Sequence, residues 1–182
     1  MRRRNYNEPG HAHELTFSCY QRIPLLSRER CYRWLADSIN AARIALDFSV
    51  WAYVFMPDHV HVVIYPRRRD YKIEEIRSRI KQPIARRAMA YLRKHSPDWL
   101  ENLRDNRKPR EEYHFWQPGG GYDRNITEPK TLLKMIDYIH LNPVRKLLVE
   151  IASLWKWSSA GWFEGCGRNE LRPDPIPTEW LM

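Results

Sequence analysis

Residues 12–20 alternate Leu15, Phe17 and Cys19 with Glu14, Thr16 and Ser18, the period-two pattern of a half-buried strand. Pro24 ends ladder pairing there, and Ser27 stands where a helix cap is expected. Cys31, Leu35, Ile39, Ala42 and Leu46 then recur at helical spacing and predict an amphipathic helix of about five turns. Phe48 to Met56 is rich in β-branched and aromatic residues and reads as a strand. Pro57-Asp58 signals a turn, and His59 to Tyr65 the returning strand of a tight hairpin. Ile73, Ile76, Ile80, Ile84 and Ala88 predict a second helix, which Pro83 should kink or split. Residues 95–113 read as a polar surface loop, 113–117 as a short strand and Gly119-Gly120-Gly121 as a flexible turn. Thr127, Glu128 and Pro129 open a third helix that runs to about Leu141 and buries Leu132, Leu133, Ile136 and Ile139. Pro143 stops it.

The order strand, helix, two strands, helix, strand, helix suggests an α+β ferredoxin-like sandwich with helices on one face of an antiparallel sheet. Residues 1–165 are expected to form the domain, and 166–182, with Pro173, Pro175 and Pro177, an extended tail. The chain of 182 residues is short for an αβ barrel, which needs roughly 250.

Charge narrows the class of partner. Thirty-one Lys and Arg against 22 Asp and Glu give a net charge of +9, and residues 67–94 hold eleven basic and three acidic residues. A basic stripe of this kind is a footprint for phosphates, its ordinary alternative being a solvated helix face. Eight Trp and ten Tyr add rings on which unpaired bases can stack, although some must be core. Arg2, Arg3, Arg4, Arg67, Arg68, Arg69, Arg77, Lys81, Arg86, Arg87 and Lys134 are the candidate DNA contacts. No apolar run reaches the roughly 18–20 residues of a membrane span. The opening Met1-Arg2-Arg3-Arg4-Asn5 does not read as a secretory signal. Cys19, Cys31 and Cys166 are unspaced for zinc and read as free thiols of a cytoplasmic protein. The glycine triplet lacks the Lys-Ser/Thr of a nucleotide P-loop.

Two short patterns carry chemistry. His59-Val60-His61 on a strand sends both imidazoles to one face, where they can converge on one cation, and Val60, Val62 and Ile64 to the other. Tyr138 and Asn142, four apart, share a helix face with Lys134. A tyrosine beside a bound metal can attack phosphorus, and an amide oxygen suits a hard cation. Each pattern alone has an ordinary structural explanation: hydrogen-bonded histidines, and a tyrosine packed with its hydroxyl at the surface.

Together they resemble a known family. Met56-Pro57-Asp58-His59-Val60-His61-Val62-Val63 followed by Tyr138-Ile139-x-x-Asn142-Pro143-Val144-Arg145 is similar to the single-tyrosine HUH transposases, most of all their REP-associated tyrosine branch. Phe115-Trp116-Gln117, Gly121-Tyr122-Asp123 and Trp157-Ser158-Ser159-Ala160 also resemble that branch. The resemblance implies a central strand bearing the HUH motif and a Mg²⁺ or Mn²⁺ ion on His59, His61 and Asn142. It implies Tyr138 as the nucleophile that nicks single-stranded or hairpin DNA through a 5′-phosphotyrosine, and strand transfer in DNA transposition. In other insertion-sequence relatives the third ligand is commonly Gln. Lys146-Leu147-Leu148 stands where the branch often has a small residue and Gly. That branch is associated with monomers, whereas insertion-sequence relatives work as dimers. The competing readings are a non-catalytic nucleic-acid-binding module, a metal-dependent phosphodiesterase that uses water, and a relaxase-type HUH nuclease.

Overall fold

The computed structural model describes residues 7–166 and 170–182; Arg2, Arg3 and Arg4 lie outside the described residues. The strands are β1 (Ala12–Ser18), β2 (Phe48–Phe55), β3 (His59–Pro66) and β4 (Tyr122–Ile126). The helices used below are α1 (Glu29–Leu46), α2 (Ile73–His95), α3 (Pro97–Leu100), α4 (Pro129–His140) and α5 (Asn142–Arg145). The sheet order is β2-β3-β1-β4, and every neighbouring pair is antiparallel. Strands β2 and β3 form the expected hairpin. The crossovers through α1 and α2 complete the ferredoxin-like arrangement, with β3 and β1 at its centre.

Leu15 and Phe17 of β1 and Val60, Val62 and Ile64 of β3 meet Leu35 and Ile39 of α1 and Ile76, Ile80 and Ile84 of α2 in one apolar layer. The expectation of helices on one face holds for these two. Helix α4 is an addition on the opposite face. There Leu132, Ile136 and Ile139 pack with Trp51, Val54, Val63 and Trp180 in a second apolar layer. The reason lies in β2, whose eight residues are all buried. A strand that is apolar on both sides needs cover on both sides. Trp51 is the extra residue of a bulge, since Val50 pairs with Ile64 and Ala52 with Val63. The bulge turns Trp51 and Ala52 into the same layer, where Trp51 stacks on Tyr65 at 4.7 Å.

Other differences are local. Ser27 does not cap α1: its hydroxyl donates to the Pro24 carbonyl, and the helix starts at Glu29. Helix α2 continues through Pro83 as one element of 23 residues. The 95–113 segment contains the helical turn α3, and Asp105 is buried where its carboxylate accepts two bonds from the Arg107 guanidinium, at 2.8 and 3.0 Å. Residues 113–117 form no strand; Trp116 makes an isolated bridge to Cys19. The fourth strand is Tyr122–Ile126 instead, and Asp, Arg and Asn inside it hide it from propensity. On α4, Leu133 is exposed and Met135 is buried in its place.

The outer edge of β2 is met by later chain. The Phe55 N–H donates to the Trp157 carbonyl at 2.8 Å and the Tyr53 N–H to Ser159 Oγ at 2.9 Å. Val50 donates to the Asp174 carboxylate at 2.8 Å, and the Asp174 N–H returns a bond to the Val50 carbonyl at 2.7 Å. Leu171 and Trp180 are buried on either side of this contact, one in each apolar layer. Among the described residues no helix is long and apolar enough to cross a membrane.

Cys19 and Cys31 are buried and Cys166 is exposed. Burial pushes the Cys19 thiol up to about 12 and raises that of Cys31. An aromatic disulfide reagent at pH 8 should therefore titrate one thiol of the native protein, removed by Cys166→Ser, and all three in denaturant. Ile139→Ala, at a fully buried position of α4, should lower stability by about 2–5 kcal/mol in urea titrations. Leu133→Ala on the exposed side should change it little.

Candidate active site

The pleat of β3 sends Val60, Val62 and Ile64 into the α1–α2 layer, and His59 and His61 to the side that α4 covers. The register with β1 sets Thr16 opposite His61, and Glu14, two residues along, joins the same face. Glu14 is 2% exposed. Its Oε1 lies 2.8 Å from His61 Nδ1 and accepts the Thr16 hydroxyl, which itself lies 2.9 Å from the same imidazole nitrogen. Asp58 serves His59 in the same way, its Oδ1 lying 2.6 Å from His59 Nδ1 while Oδ2 accepts from Arg22 at 3.2 Å. Burial works to raise the Asp58 carboxyl, but His59 and Arg22 outweigh it and hold the group below the usual range. Burial pushes His59 down against the pull of Asp58, which keeps the imidazole neutral.

The two rings stand 5.0 Å apart, nearly perpendicular. An ionised carboxylate can only accept, so each Nδ1 carries its proton toward its acid and each Nε2 is left with a lone pair. Neither Nε2 has a hydrogen-bond partner among the described residues. Such a donor set could hold a cation, with carboxylates orienting both rings.

Tyr138 comes to this site from α4. Ile136 and Ile139 hold the helix on the sheet, so the opposite flank carries Lys134 and Tyr138, one turn apart. The Tyr138 ring lies 6.1 Å from that of His61 and perpendicular to it, and is half exposed. The Arg145 guanidinium lies 4.9 Å over the ring and donates to the Tyr138 carbonyl at 3.2 Å. A cavity of about 530 Å³ opens between α4 and the sheet, lined by Glu14, Thr16, His61, Arg124, Lys134 and Tyr138 among others.

Asn142 is buried one turn below Tyr138 and does not line that cavity. Its amide nitrogen donates to the carbonyls of Tyr138 and Ile139, at 3.0 and 3.3 Å, which closes the last turn of α4. Only its oxygen remains for a ligand. No group of three or more His, Cys, Asp or Glu suited to a metal occurs among the described residues. The residue that sequence reasoning missed is Glu14. Alternation puts it on the polar face of β1, but its meeting with His61 depends on a register between strands 47 residues apart.

Of the candidate DNA contacts among the described residues, Lys134 alone lines this cavity. Arg67, Arg68 and Arg69 are exposed in the turn after β3, with Arg67 against Asp47 at 3.5 Å. Arg86 and Arg87 are exposed on α2, with Arg87 against Asp37 at 3.4 Å. Arg77 and Lys81 are drawn inward on the same helix. Helix α2 therefore carries its basic residues on the opposite side of the sheet from His61 and Tyr138. Arg124 of β4 is a cation of the cavity that the charge run did not reveal.

No family model matches the chain. A curated chain of Haemophilus influenzae named as a candidate REP-associated tyrosine transposase is 24% identical over 169 residues, which cover 86% of this chain and 84% of that one. A solved structure of a REP-associated tyrosine transposase bound to a REP hairpin matches 97% of this chain and 94% of its own, with a TM-score of 0.67 at 20% identity. At that identity the structural likeness is one of fold. The chain is thus similar to REP-associated tyrosine transposases in sequence and in fold over most of its length, as its motifs implied.

In ¹⁵N NMR at neutral pH, His59 and His61 should both appear as Nδ1–H tautomers. Glu14→Ala should remove that preference from His61 and leave His59 unchanged. A His61 that is Nδ1–H without Glu14 would assign the tautomer to something else.

Proposed function

We propose that the chain is a metal-dependent single-strand DNA endonuclease and strand transferase acting at or beside a DNA hairpin, with Tyr138 as nucleophile. The observation that carries this reading is the approach of Tyr138 to His61 across a cavity that His61 lines, with His59 beside it and both imidazoles held at Nδ1 by a carboxylate. A structural tyrosine on a surface helix needs no such neighbours. The hairpin-bound relative supports a hairpin as the form of DNA recognised.

His59 and His61 fit a divalent cation, Mg²⁺ or Mn²⁺, with the Asn142 oxygen as candidate third ligand. When bound, such an ion supplies Lewis-acid polarisation of a phosphate oxygen. The remaining work falls to the chain itself. Glu14 and Asp58 hold the imidazoles in one tautomer. Lys134 and Arg124 offer positive charge to the phosphate in the cavity. The Tyr138 oxygen attacks phosphorus and its proton passes to solvent. The bond from phosphorus to the 3′ oxygen breaks, and that oxygen takes up a proton from water. The product is a 5′-phosphotyrosine and a free 3′-hydroxyl. A second 3′-hydroxyl can attack the phosphotyrosine and rejoin DNA, so no nucleotide cofactor is needed. Arg145, stacked over the Tyr138 ring, restrains the nucleophile.

The test is a denaturing gel of the protein with labelled oligonucleotides that carry the repeated hairpins of its own genome. With Mn²⁺ a slower band that survives detergent should form, and EDTA or Tyr138→Phe should abolish it while binding persists. Cleavage without that band would mean that water is the nucleophile. Glu14→Ala should weaken Mn²⁺ binding by roughly 10–100-fold in calorimetry, as loss of a carboxylate behind a ligating histidine does elsewhere.

A further inference from the structure

Two cations of α2 differ from the exposed rest. Arg77 is 7% exposed, and Lys81 is half-buried one turn later. A buried guanidinium or ammonium is ordinarily paired with a carboxylate. Here neither has an ion-pair partner among the described residues, although Glu74 lines the same pocket. Burial, then the nearby Arg77, push the Lys81 ammonium down to about 8, the behaviour of a cation beside another cation.

The glycine triplet is folded over this pair. Lys81 donates to the Gly119 carbonyl at 3.4 Å. A Cβ on Gly120 would stand 2.8 Å from an Arg77 guanidinium nitrogen. One on Gly121, whose φ is +72°, would stand 2.3 Å from the Thr16 carbonyl oxygen. Gly120 and Gly121 are thus accounted for by closeness, since they let bare backbone lie on Arg77 on one side and on β1 on the other, and Gly119 by its φ of +100°. Trp116 closes the far wall, its indole N–H donating to the Lys81 carbonyl at 2.9 Å. The pocket between Arg77, Ser78, Lys81, Trp116 and Gly119 measures about 280 Å³. Thr16 and Tyr122, which flank Gly121 across the sheet edge, line the Tyr138 cavity. One glycine loop therefore separates an unpaired cation pair on one side of the sheet from the candidate active site on the other.

We propose that the Arg77–Lys81 pocket binds one backbone phosphate of the DNA strand, which crosses the Gly119–Gly121 loop to reach the Tyr138 cavity. The destination of the strand rests on the nuclease reading; the phosphate pocket stands on its own geometry. The loop lacks side chains where a sugar–phosphate chain would pass, and the two cations, without an ion-pair partner among the described residues, take up the negative charge of the DNA.

The experiment is a scan with single neutral methylphosphonate linkages along a labelled hairpin oligonucleotide with a single-stranded flank, binding being read by fluorescence anisotropy in EDTA. For the wild type, one linkage in the flank should weaken binding roughly tenfold, the loss of one charged hydrogen-bonded contact. Lys81→Gln should show that loss on unmodified DNA and no further loss at that linkage, with a salt slope smaller by about 0.7. Lys81→Arg should restore both. Gly120→Ala, which displaces Arg77 without removing a charge, should reproduce the Lys81→Gln pattern, and melting curves confirm that both variants fold. An unchanged salt slope in Lys81→Gln, or losses that add at every linkage, would overturn the pocket. The same oligonucleotides with Mn²⁺ report the Tyr138 adduct separately. An adduct without the linkage signature refutes the pocket alone; the signature without an adduct refutes the nuclease reading and leaves the pocket standing.

Discussion

The pairing of β1 with β3 is the constraint on which the rest depends. It puts Thr16 against His61 and, through the pleat, Glu14 within reach of the same ring. A slip of one residue would turn Glu14 into the layer of Leu15 and Phe17 and leave a carboxylate among hydrocarbon. The apolar layer therefore enforces the register, and the register assembles the site. The site sits on the two central strands, where neighbours on both sides limit motion.

Tyr138 is delivered differently. It rides on α4, held to the sheet by Leu132, Ile136 and Ile139 and by no backbone pairing. In the proposed reaction His59 and His61, which would hold a cation, and Tyr138, which would attack, belong to separate elements joined by an apolar contact surface, while Asn142 follows Tyr138 on the helix side. That separation suits a reaction in which the tyrosine must leave the cation with a DNA end attached. It also explains why α4 occupies its own side of the sheet: on the side of α1 and α2 it would meet valines instead of histidines.

The sequence carried more of the candidate site than of the surroundings that organise it. His59 and His61 were legible because a strand has period two and the Pro57-Asp58 turn fixed where it begins. Lys134, Tyr138 and Asn142 were legible as one helix face, yet that pattern could not say that Asn142 would spend its amide nitrogen on the α4 carbonyls. Glu14 was visible only as a polar position, since its partner is set by tertiary register. Strand β4 escaped because Asp123, Arg124 and Asn125 are poor strand formers, and β1 supplies the ladder that composition does not. The charge run between 67 and 94 announced phosphates without telling which side of the sheet would carry it. Only the packing of Ile76, Ile80 and Ile84 decides that.

The covering of β2 has a consequence for how copies of the chain meet. A bare strand edge is a template on which another chain can continue the sheet. Along β2 the outward N–H groups of Val50, Tyr53 and Phe55 already donate to Asp174, Ser159 and Trp157 of the same molecule. Growth of the sheet is thereby confined to β4, a five-residue strand with exposed polar side chains that borders the Tyr138 cavity. The closing residues of the chain thus guard against fibrous self-association of its most hydrophobic strand.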